Sequence, residues 1–339
     1  MKAVCIEKPW SISLVEKEMP VPQKGEVLIR VKSVGICGSD IGAYRGTNQL
    51  VSYPRIIGHE IAGEIVQISS DNPKGLMIGD RVVVDPYLYC GHCYPCSIGR
   101  TNCCTDLKVL GVHVDGGMTE YFCHPATMLT KIPDGMSWEM APLSEPLTIA
   151  LHGLHRGQLN AGEHIVIFGA GPIGLLAALA ALHYGAIPIV VDPVEDRLAM
   201  VRDLHIPYTI NPKVESLVDK VMEYTEGRMA EMVMEASGAN SAIRSSLDVV
   251  SHAGRVVLTG WPKHDTELPT GVFTKKELDI RGARTSVGEF KETLNLIATG
   301  KVPMQTLLTK TVSLKDAPET LVDIEANPGS YMKVVVCID

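Results

Sequence analysis

A glycine-rich turn between an apolar strand and an apolar helix constrains the fold of this chain more than any other feature. The segment 169–174, GAGPIG, follows the predicted strand 165–168 and opens a predicted helix. Gly169 permits the tight turn, Gly171 lets the backbone approach a pyrophosphate, and Gly174 lets the helix pack closely on the strand. The start of the helix supplies N–H groups and the positive end of its dipole. The turn therefore predicts a βαβ unit that binds a dinucleotide, the alternative being an ordinary βαβ turn whose glycines only relieve crowding.

The next predicted strand ends at Asp192, which lies 18 residues after Gly174. A carboxylate there can accept hydrogen bonds from both ribose hydroxyls of NAD, and it repels the additional phosphate of NADP. Pro193 follows where an NADP-binding chain often has a basic residue, and Arg197 either covers the adenine ribose or faces solvent. We therefore expect NAD as the cofactor. The residues expected to bind it in this unit are Gly169, Gly171, Pro172, Ile173, Gly174, Asp192 and Arg197.

The order of the predicted elements indicates two domains. Residues 1–150 contain short strands joined by turns, whereas strand-like and helical runs alternate from about residue 151 onward. Alternation of β and α elements implies a parallel sheet with helices on its faces. At roughly 150 residues per domain, a chain of 339 residues is expected to hold two domains. We therefore predict an α/β protein with a doubly wound parallel sheet in its second part.

Composition and charge exclude several classes of partner. Lys and Arg total 31 against 39 Asp and Glu, for a net charge of −8, and no basic run stands out, so we expect no nucleic acid. Residues 165–182 carry no charge, but their glycines and Pro172 break the segment into a strand, a turn and a helix, so we expect no membrane span. The first ten residues lack the apolar run of a signal peptide, and we expect a cytoplasmic protein.

Five of the nine cysteines fall in one short segment, and without a secretion signal such clustering favours metal binding over disulfides. Cys90, Cys93, Cys96 and Cys104 place four thiolates within fifteen residues, and tetrahedral zinc binds four sulfurs at about 2.3 Å. Cys103 adjoins Cys104, so the spacing leaves the fourth ligand open between them. An iron–sulfur cluster fits less well, because its bacterial motif has three residues between the third and the fourth cysteine and a proline after the fourth. Four sulfurs leave no open position, so the predicted zinc ion is structural.

A second group of metal-ligand types lies earlier in the chain. Cys37 lies in GICGSD and His59 in PRIIGHE, near the carboxylates Asp40 and Glu60. A lone buried Cys or His usually belongs to the core, but together, and each with a glycine and a carboxylate close by, they suggest a polar, open metal site. We expect Asp40 to hold the far nitrogen of His59, as carboxylates beside metal-bound imidazoles do.

A third ligand has to come from elsewhere in the chain, and Glu145 is the candidate. It lies between prolines in an apolar stretch, PLSEPLTIALHG, where a carboxylate is costly unless it is paired or bound to a metal. The alternative is a charge at the N-terminus of a helix, which the helix dipole favours.

Together these motifs resemble the zinc-dependent medium-chain alcohol and polyol dehydrogenases. The resemblance covers essentially the whole chain and rests on segments that occur in the family order: GEVLIRVKSVGICGSD, GHEIAGEIV, GDRVVVDP, the four-cysteine segment, DGGMTEY, LSEPL and GAGPIG. It implies a catalytic domain with a GroES-like partial β-barrel, formed by residues 1–150 and 285–339. It also implies a Rossmann NAD-binding domain of residues 151–284 between them.

The resemblance further implies roles for individual residues. Cys37, His59 and Glu145 correspond to the ligands of a catalytic zinc ion, with Glu60 adjacent and able to exchange, and Ser39 matches the hydroxyl that receives the substrate proton. A glutamate at the third position is similar to the sorbitol, threonine and sugar-acid branches, which act on secondary alcohols. The implied cofactors are NAD and two zinc ions per chain. The residues that match family segments near the nicotinamide are Leu258, Thr259, Gly260 and Arg284.

The chain departs from the family pattern at Gly42. Many relatives have a histidine there, which relays the proton to bulk water. The route by which a proton leaves Ser39, through water or through the cofactor ribose, therefore stays open.

The segments GVHVDGGMTEY and CGHCYPCSIGRTNCC are most similar to those of bacterial hexonate 5-dehydrogenases, which oxidise L-gulonate or L-galactonate to a keto-uronate. The resemblance implies a sugar acid as the substrate, with Arg45 or Arg284 as candidates to bind its carboxylate and His113 its hydroxyls. Each of the three has an alternative role as a structural or solvent-exposed residue. A neutral polyol or L-threonine is the alternative substrate, and a homodimer or homotetramer is the expected assembly.

Two other functions share parts of this pattern. A zinc-free NADPH reductase of the quinone-reductase branch has the same fold, but such chains generally lack the four-cysteine segment and the Cys/His pair. A non-catalytic, dinucleotide-binding structural protein would keep the fold and the cofactor pocket, and the missing relay histidine is the one point in its favour. Retention of Cys37, Ser39, Asp40, His59 and Glu145 favours an enzyme.

Overall fold

Both ends of the chain fold together, and the middle of the chain forms a unit of its own. The computed structural model describes all 339 residues. Met1–Glu145 and Phe290–Asp339 form the first unit, and Pro146–Glu289 forms the second. The sequence predicts the junctions after residues 150 and 284. In the structure, the contacts between residues place them after residues 145 and 289. The first junction lies near the start of a helix, where no change in composition marks it.

The N-terminal part of the first unit consists mainly of short strands, because runs rich in Val and Ile alternate with turns. Its two helices are α1 (Gly38–Arg45) and α2 (Tyr94–Ser97). Its strands are β1 (Lys2–Lys8), β2 (Ser11–Glu16), β3 (Glu26–Ile36), β4 (Arg55–Ile56), β5 (Glu60–Ile68), β6 (Arg81–Val84), β7 (Tyr87–Leu88), β8 (Lys108–Val109), β9 (Tyr121–Pro125) and β10 (Leu129–Lys131).

Helices and strands alternate in the middle of the chain. The helices are α3 (Ser144–Gly157), which starts at the junction, α4 (Pro172–His183), α5 (Glu195–Asp203), α6 (Leu217–Tyr224), α7 (Asn240–Val249) and α8 (Thr270–Lys276). The strands are β11 (His164–Phe168), β12 (Ile187–Val191), β13 (Tyr208–Ile210), β14 (Ala230–Glu235), β15 (Val250–Leu258) and β16 (Asp279–Gly282).

The chain then returns to the first unit through α9 (Phe290–Ala298), β17 (Leu308–Ser313), α10 (Ala317–Ala326) and β18 (Lys333–Cys337). The last strand, β18, pairs antiparallel with β3, with Val334 opposite Ile36. The largest sheet of the unit runs β10-β6-β5-β3-β18-β17, and β9 also pairs with β3. With 11 residues, β3 is long enough to pair with β5 on one edge and with β9 and then β18 on the other. Aliphatic side chains of these strands, such as Ile29, Ile61 and Val336, form one buried cluster.

The second unit contains a six-stranded sheet in the order β13-β12-β11-β14-β15-β16. All of its neighbouring strands are parallel. The chain builds outward from β11 in one direction and then restarts beside it with β14, so a topological switch point lies between these two strands. Every residue of β11 is buried, as expected for a strand covered on both faces. This confirms the predicted α/β class with a doubly wound parallel sheet.

The uncharged segment 165–182 divides as the sequence predicts. It comprises the end of β11, the glycine turn and most of α4. None of the helices has both the length and the apolar content that a bilayer crossing requires.

Candidate metal centres and dinucleotide-binding turn

The four-cysteine segment folds into a small lobe between β7 and β8. The sulfur atoms of Cys90, Cys93, Cys96 and Cys104 all lie within 4.8 Å of one another. Cys103 is not in this group. The structure therefore brings Cys104 to the position that the spacing leaves open.

The chemistry of these sulfurs fits a bound cation. The backbone N–H of Cys90 donates to Sγ of Cys104 at 3.3 Å, and the N–H of Cys93 donates to Sγ of Cys90 at 3.4 Å. A backbone hydrogen bond from Thr105 is the main cause that lowers the pKa of Cys93 to about 6, whereas burial raises the pKa of Cys96 to about 12. One thiol ionises easily and its neighbour resists a second negative charge. A zinc ion would neutralise several thiolates at once, so the residues fit it.

Strand pairing brings together candidate ligands of the second metal site. Gly35 of β3 lies opposite Glu60 of β5, so Cys37, just beyond β3, meets His59 and Glu60 at the start of β5. One potential ligand atom from each of these three residues lies within 4.8 Å of the other two. A Cβ atom on Gly35 would fall 1.9 Å from Oε2 of Glu60. Glycine at this position therefore makes room for the buried carboxylate.

Two polar atoms of this group, Nδ1 of His59 and Oε2 of Glu60, are buried without a hydrogen-bond partner. Such atoms are rare in folded proteins and call for an explanation. Burial by itself lowers the pKa of His59, but Cys37, Asp40 and Glu145 raise it well above its usual value. The surroundings thus favour a positive charge here, and the sulfur, nitrogen and oxygen donors fit a zinc ion.

Asp40 holds the backbone around this site more closely than it holds the imidazole. The N–H of Cys37 donates to its Oδ2 at 2.9 Å, and the N–H of Gly58 donates to its Oδ1 at 3.3 Å. Nδ1 of His59 lies 3.9 Å from Oδ1, which allows an electrostatic contact but is too long for a hydrogen bond. The expected contact with the imidazole is therefore only electrostatic. Ser39 lies with its Oγ 3.4 Å from Nε2 of His59.

Glu145 belongs to the first turn of α3 and is not one of the three residues that share the closest group. Its Oε1 accepts a hydrogen bond from the hydroxyl of Tyr87. Both side chains are buried. Burial is the main cause that raises the pKa of Tyr87 well above its usual value, so the phenol keeps its proton. Burial also raises the pKa of Glu145.

Lys333, the first residue of β18, is buried and forms an ion pair with Oε1 of Glu60. Its Nζ also donates to the carbonyl oxygen of Ile36 at 3.3 Å. Burial opposes the charge of Lys333, but Glu60 and Cys37 raise its pKa. Sequence reasoning missed both Lys333 and Tyr87. For Lys333, the only local signal in the sequence is a lysine at the start of a buried strand. For Tyr87, the sequence gives no local signal.

The glycine turn has the geometry that its sequence predicts. Gly169 has a φ of +101°, a conformation that essentially only glycine adopts. A Cβ atom on Gly174 would fall 1.8 Å from the carbonyl oxygen of Gly169, whereas a Cβ atom on Gly171 would meet nothing within 4 Å. Pro172 and Ile173 form the first turn of α4. The backbone is therefore tight beneath the turn and open above Gly171, as a bound pyrophosphate requires.

Asp192 follows β12 and is 3% exposed. The N–H of Ala170 donates to its Oδ2 at 2.8 Å, and the N–H of Val194 donates to its Oδ1 at 2.9 Å. A guanidinium nitrogen of Arg197 lies 3.7 Å from Oδ2. Because Ala170 belongs to the glycine turn, the carboxylate is fixed directly beside the turn.

The residues that resemble family segments near the nicotinamide half of the cofactor lie at or just after the ends of two other strands of the same sheet. Leu258 ends β15, and the N–H groups of Thr259 and Gly260 both donate to the carbonyl oxygen of Glu235 at 2.9 Å. Arg284 is exposed and follows β16. Carboxyl ends of parallel strands share one edge of a sheet, so these residues lie along the edge that carries the glycine turn.

Comparison with known proteins assigns both units to one family. Residues 23–134 match the family model described as alcohol dehydrogenase GroES-like domain, and residues 172–299 match the one described as zinc-binding dehydrogenase. An uncharacterized zinc-type alcohol dehydrogenase-like protein of Haemophilus influenzae is 55% identical over 336 residues, which is 98% of each chain. The chain belongs to the zinc-dependent medium-chain dehydrogenase family.

Two further members of the family bear on its chemistry. The L-galactonate-5-dehydrogenase of Escherichia coli K12 is 36% identical over 99% of this chain and 98% of its own. The solved structure of RspB from E. coli CFT073 in complex with NADH has a TM-score of 0.92, with 34% identity and 99% of both chains covered. Family membership confirms the GroES-like and Rossmann folds and the prediction of an oxidoreductase.

The residues proposed to bind substrate in this medium-chain dehydrogenase differ in their surroundings. Nε of Arg45 donates to Oε1 of Glu325 at 3.0 Å, so its charge is already paired. The N–H of Val109 donates to Nδ1 of His113 at 3.1 Å, so the neutral imidazole has its proton on Nε2.

Proposed function

We propose that this protein oxidises a secondary alcohol of a sugar acid with NAD, and that a hexonate such as L-gulonate or L-galactonate is oxidised at carbon 5. The observation that carries the proposal is the buried group of Cys37, His59 and Glu60, which contains two polar atoms without a partner. The 36% sequence identity with an L-galactonate-5-dehydrogenase supports a sugar acid as the substrate class. A neutral polyol is the second candidate, because a sorbitol dehydrogenase of Bacillus subtilis is 32% identical over nearly the whole chain.

The proposed catalytic zinc ligands are Cys37, His59 and Glu145, with Glu60 as the adjacent carboxylate. A thiolate and one carboxylate balance the charge of a divalent ion while the imidazole stays neutral. A zinc ion in this place acts as a Lewis acid and lowers the pKa of an alcohol hydroxyl. Cys90, Cys93, Cys96 and Cys104 are the proposed ligands of the second, structural zinc.

Side chains of this protein carry out the remaining steps of the proposed oxidation. Ser39 lies 3.4 Å from His59, where its hydroxyl can accept the proton of the alcohol and pass it on. Asp40 fixes the backbone of Cys37 and Gly58, and so preorganises the ligands. Bound NAD supplies the hydride acceptor.

The proposed dinucleotide site prefers NAD over NADP. The N-terminus of α4 binds the pyrophosphate with its free N–H groups. Asp192 accepts the ribose hydroxyls, and its charge repels a 2′-phosphate. Arg197 lies 3.7 Å from Asp192, so its charge is offset there and offers a phosphate little attraction. The proposed location of the enzyme is the cytoplasm.

The proposed substrate-binding residues are Arg45, Arg284 and His113. To bind a substrate carboxylate, Arg45 would have to leave Glu325, and Arg284 is the other candidate. His113 is the proposed donor to the substrate hydroxyls.

An initial-rate screen at the NADH absorbance band tests the function. Hexonates, neutral polyols and L-threonine are each supplied with NAD or NADP. We expect turnover with a hexonate and NAD to exceed all other pairs. Turnover with neutral polyols or L-threonine alone would reject the sugar acid, and absence of turnover with any alcohol would reject the reaction.

A further inference from the structure

A two-stranded ribbon connects the four-cysteine lobe to Glu145. Tyr87 of β7 lies opposite Val109 of β8. Cys90 follows β7 and Cys104 precedes β8, so the sulfur group closes the loop that joins the two strands. The sulfur group therefore lies at the loop end of the ribbon.

Both the backbone and the side chain of Tyr87 are held on this ribbon. Its N–H donates to Oδ1 of Asp85 at 3.1 Å, and the N–H of Leu110 donates to the carbonyl oxygen of Pro86 at 3.1 Å. The Tyr87 side chain is only 5% exposed, and its hydroxyl donates to Oε1 of Glu145. A residue fixed at both ends can hold its hydrogen-bond partner in one place.

The two carboxylates of the site are held by different donors. Oε1 of Glu60 binds the ammonium of Lys333, whereas Oε1 of Glu145 binds a neutral phenol. An ammonium is a full positive charge that competes with a metal ion for its carboxylate. A phenol supplies one hydrogen bond and no net charge, so it orients its carboxylate without competing for it electrostatically.

We propose that Tyr87 is a positioning residue that aligns the Glu145 carboxylate as a metal ligand, and that it acts from the ribbon closed by the four-cysteine lobe. The proposal rests on the proposed catalytic zinc site. Hydrogen-bond partners of metal ligands change metal affinity by roughly 10- to 100-fold when they are removed. A simpler role, in which Tyr87 only satisfies its own buried hydroxyl, predicts no effect on the metal.

The test measures metal retention, so it does not depend on turnover. The variant Tyr87→Phe removes one oxygen atom, and Tyr89→Phe is the matched control, because Tyr89 is close in the chain but 42% exposed. Zinc release from the purified holoenzymes is followed with a chromogenic chelator. The phase that disappears in Cys37→Ser is assigned to the catalytic site.

We expect Tyr87→Phe to accelerate that phase by roughly ten-fold or more, to leave the other phase unchanged, and to shift the visible bands of the cobalt-substituted protein. Tyr89→Phe should match the wild type. In Glu145→Gln, the additional Tyr87→Phe change should have little further effect, because its partner is already altered. Equal release from Tyr87→Phe and wild type, or independent effects in the double variant, would overturn the proposal. If no phase is lost in Cys37→Ser, the metal site itself fails, and this proposal with it.

Discussion

The side chains around Cys37 show how this protein tolerates several buried acidic groups. Glu60 is fully buried, and Asp40 and Glu145 are nearly so. An unpaired buried charge costs several kcal/mol. Each carboxylate therefore has its own partner: Lys333 for Glu60, Tyr87 for Glu145, and backbone N–H groups for Asp40. Two atoms of the group stay without a hydrogen-bond partner, Nδ1 of His59 and Oε2 of Glu60.

Replacement of Cys37 by Ser tests this site at the scale of one atom. We expect Cys37→Ser to abolish turnover and to lose one of two zinc ions per chain, because a hydroxyl is a far weaker zinc ligand than a thiolate. NADH binding, followed by fluorescence, should stay intact. Cys103→Ser is the control and should retain both metals, since its sulfur lies outside the lobe group. Full turnover of Cys37→Ser would remove the zinc site from the mechanism.

At the scale of elements, the glycine turn separates packing from binding. A Cβ atom on Gly174 collides with backbone, whereas one on Gly171 points into open space. The two glycines belong to the same turn but serve different needs. Gly174 lets α4 approach β11, and the proposed role of Gly171 is to leave room for a ligand at the start of α4.

A pair of alanine variants tests this separation. Gly174→Ala should lower stability by about 1–3 kcal/mol, the usual cost of overpacking, and its unfolding temperature should fall. Gly171→Ala should unfold at the wild-type temperature but bind NADH more weakly. Thermal unfolding and an NADH titration measure the two effects. Equal loss of stability in both variants would contradict the assignment.

Helix α3 is tied to the segment before α9 by buried polar contacts. Nδ1 of His152 lies 2.8 Å from Oε1 of Glu289, and the hydroxyl of Thr148 donates to that of Ser286 at 2.8 Å. Burial by itself raises the pKa of Glu289, but hydrogen bonds with His152 and then His155 lower it to about 2. The ionised carboxylate therefore stabilises the folded state.

The variant Glu289→Gln tests how the stabilisation by this carboxylate depends on pH. Because the pKa is lower in the folded than in the unfolded protein, the stabilisation is complete above about pH 4.5 and is lost as the pH falls through about 2. Denaturant unfolding at pH 7 should show a loss of about 1.5–3 kcal/mol, as for a hydrogen bond to a charged group. The difference between variant and wild type should shrink below pH 4.5, and a difference that grows there would refute the assignment.

At the scale of the whole molecule, the parallel sheet ends in strands with an unpaired edge. One of them, β16, pairs only with β15, and its residue Ile280 is 36% exposed. An exposed edge is a template for pairing with another chain. This favours the expected homodimer or homotetramer.

Light scattering of the protein as it elutes from a size-exclusion column measures the mass of the assembly. We expect a mass of twice or four times 36.7 kDa. Ile280→Lys places a charge on the edge and should shift the protein toward the monomer. Val194→Lys, at a residue of similar exposure (41%) in the same unit, is the control. A monomeric wild type would reject the assembly, and an unchanged Ile280→Lys variant would place the contact elsewhere.

Local patterns in the sequence determined the features that depend on short spacing. The glycine turn, the alternation of strands and helices, and the four-cysteine segment each involve residues close in the chain, so their geometry follows from the backbone conformations allowed there. The two units, the parallel sheet and the candidates Cys37 and His59 could be predicted in this way. Even the ambiguity between Cys103 and Cys104 was confined to neighbouring residues.

Only the tertiary structure decided which distant side chains meet. Tyr87 is 58 residues from Glu145, and Lys333 is 273 residues from Glu60. The pairing of β3 with β5 and β18 places Glu60 and Lys333 beside Cys37, and the pairing of Arg45 with Glu325 depends on the position of α10. Strand register and helix packing set these contacts. They result from burial summed over the whole core, which no local pattern encodes.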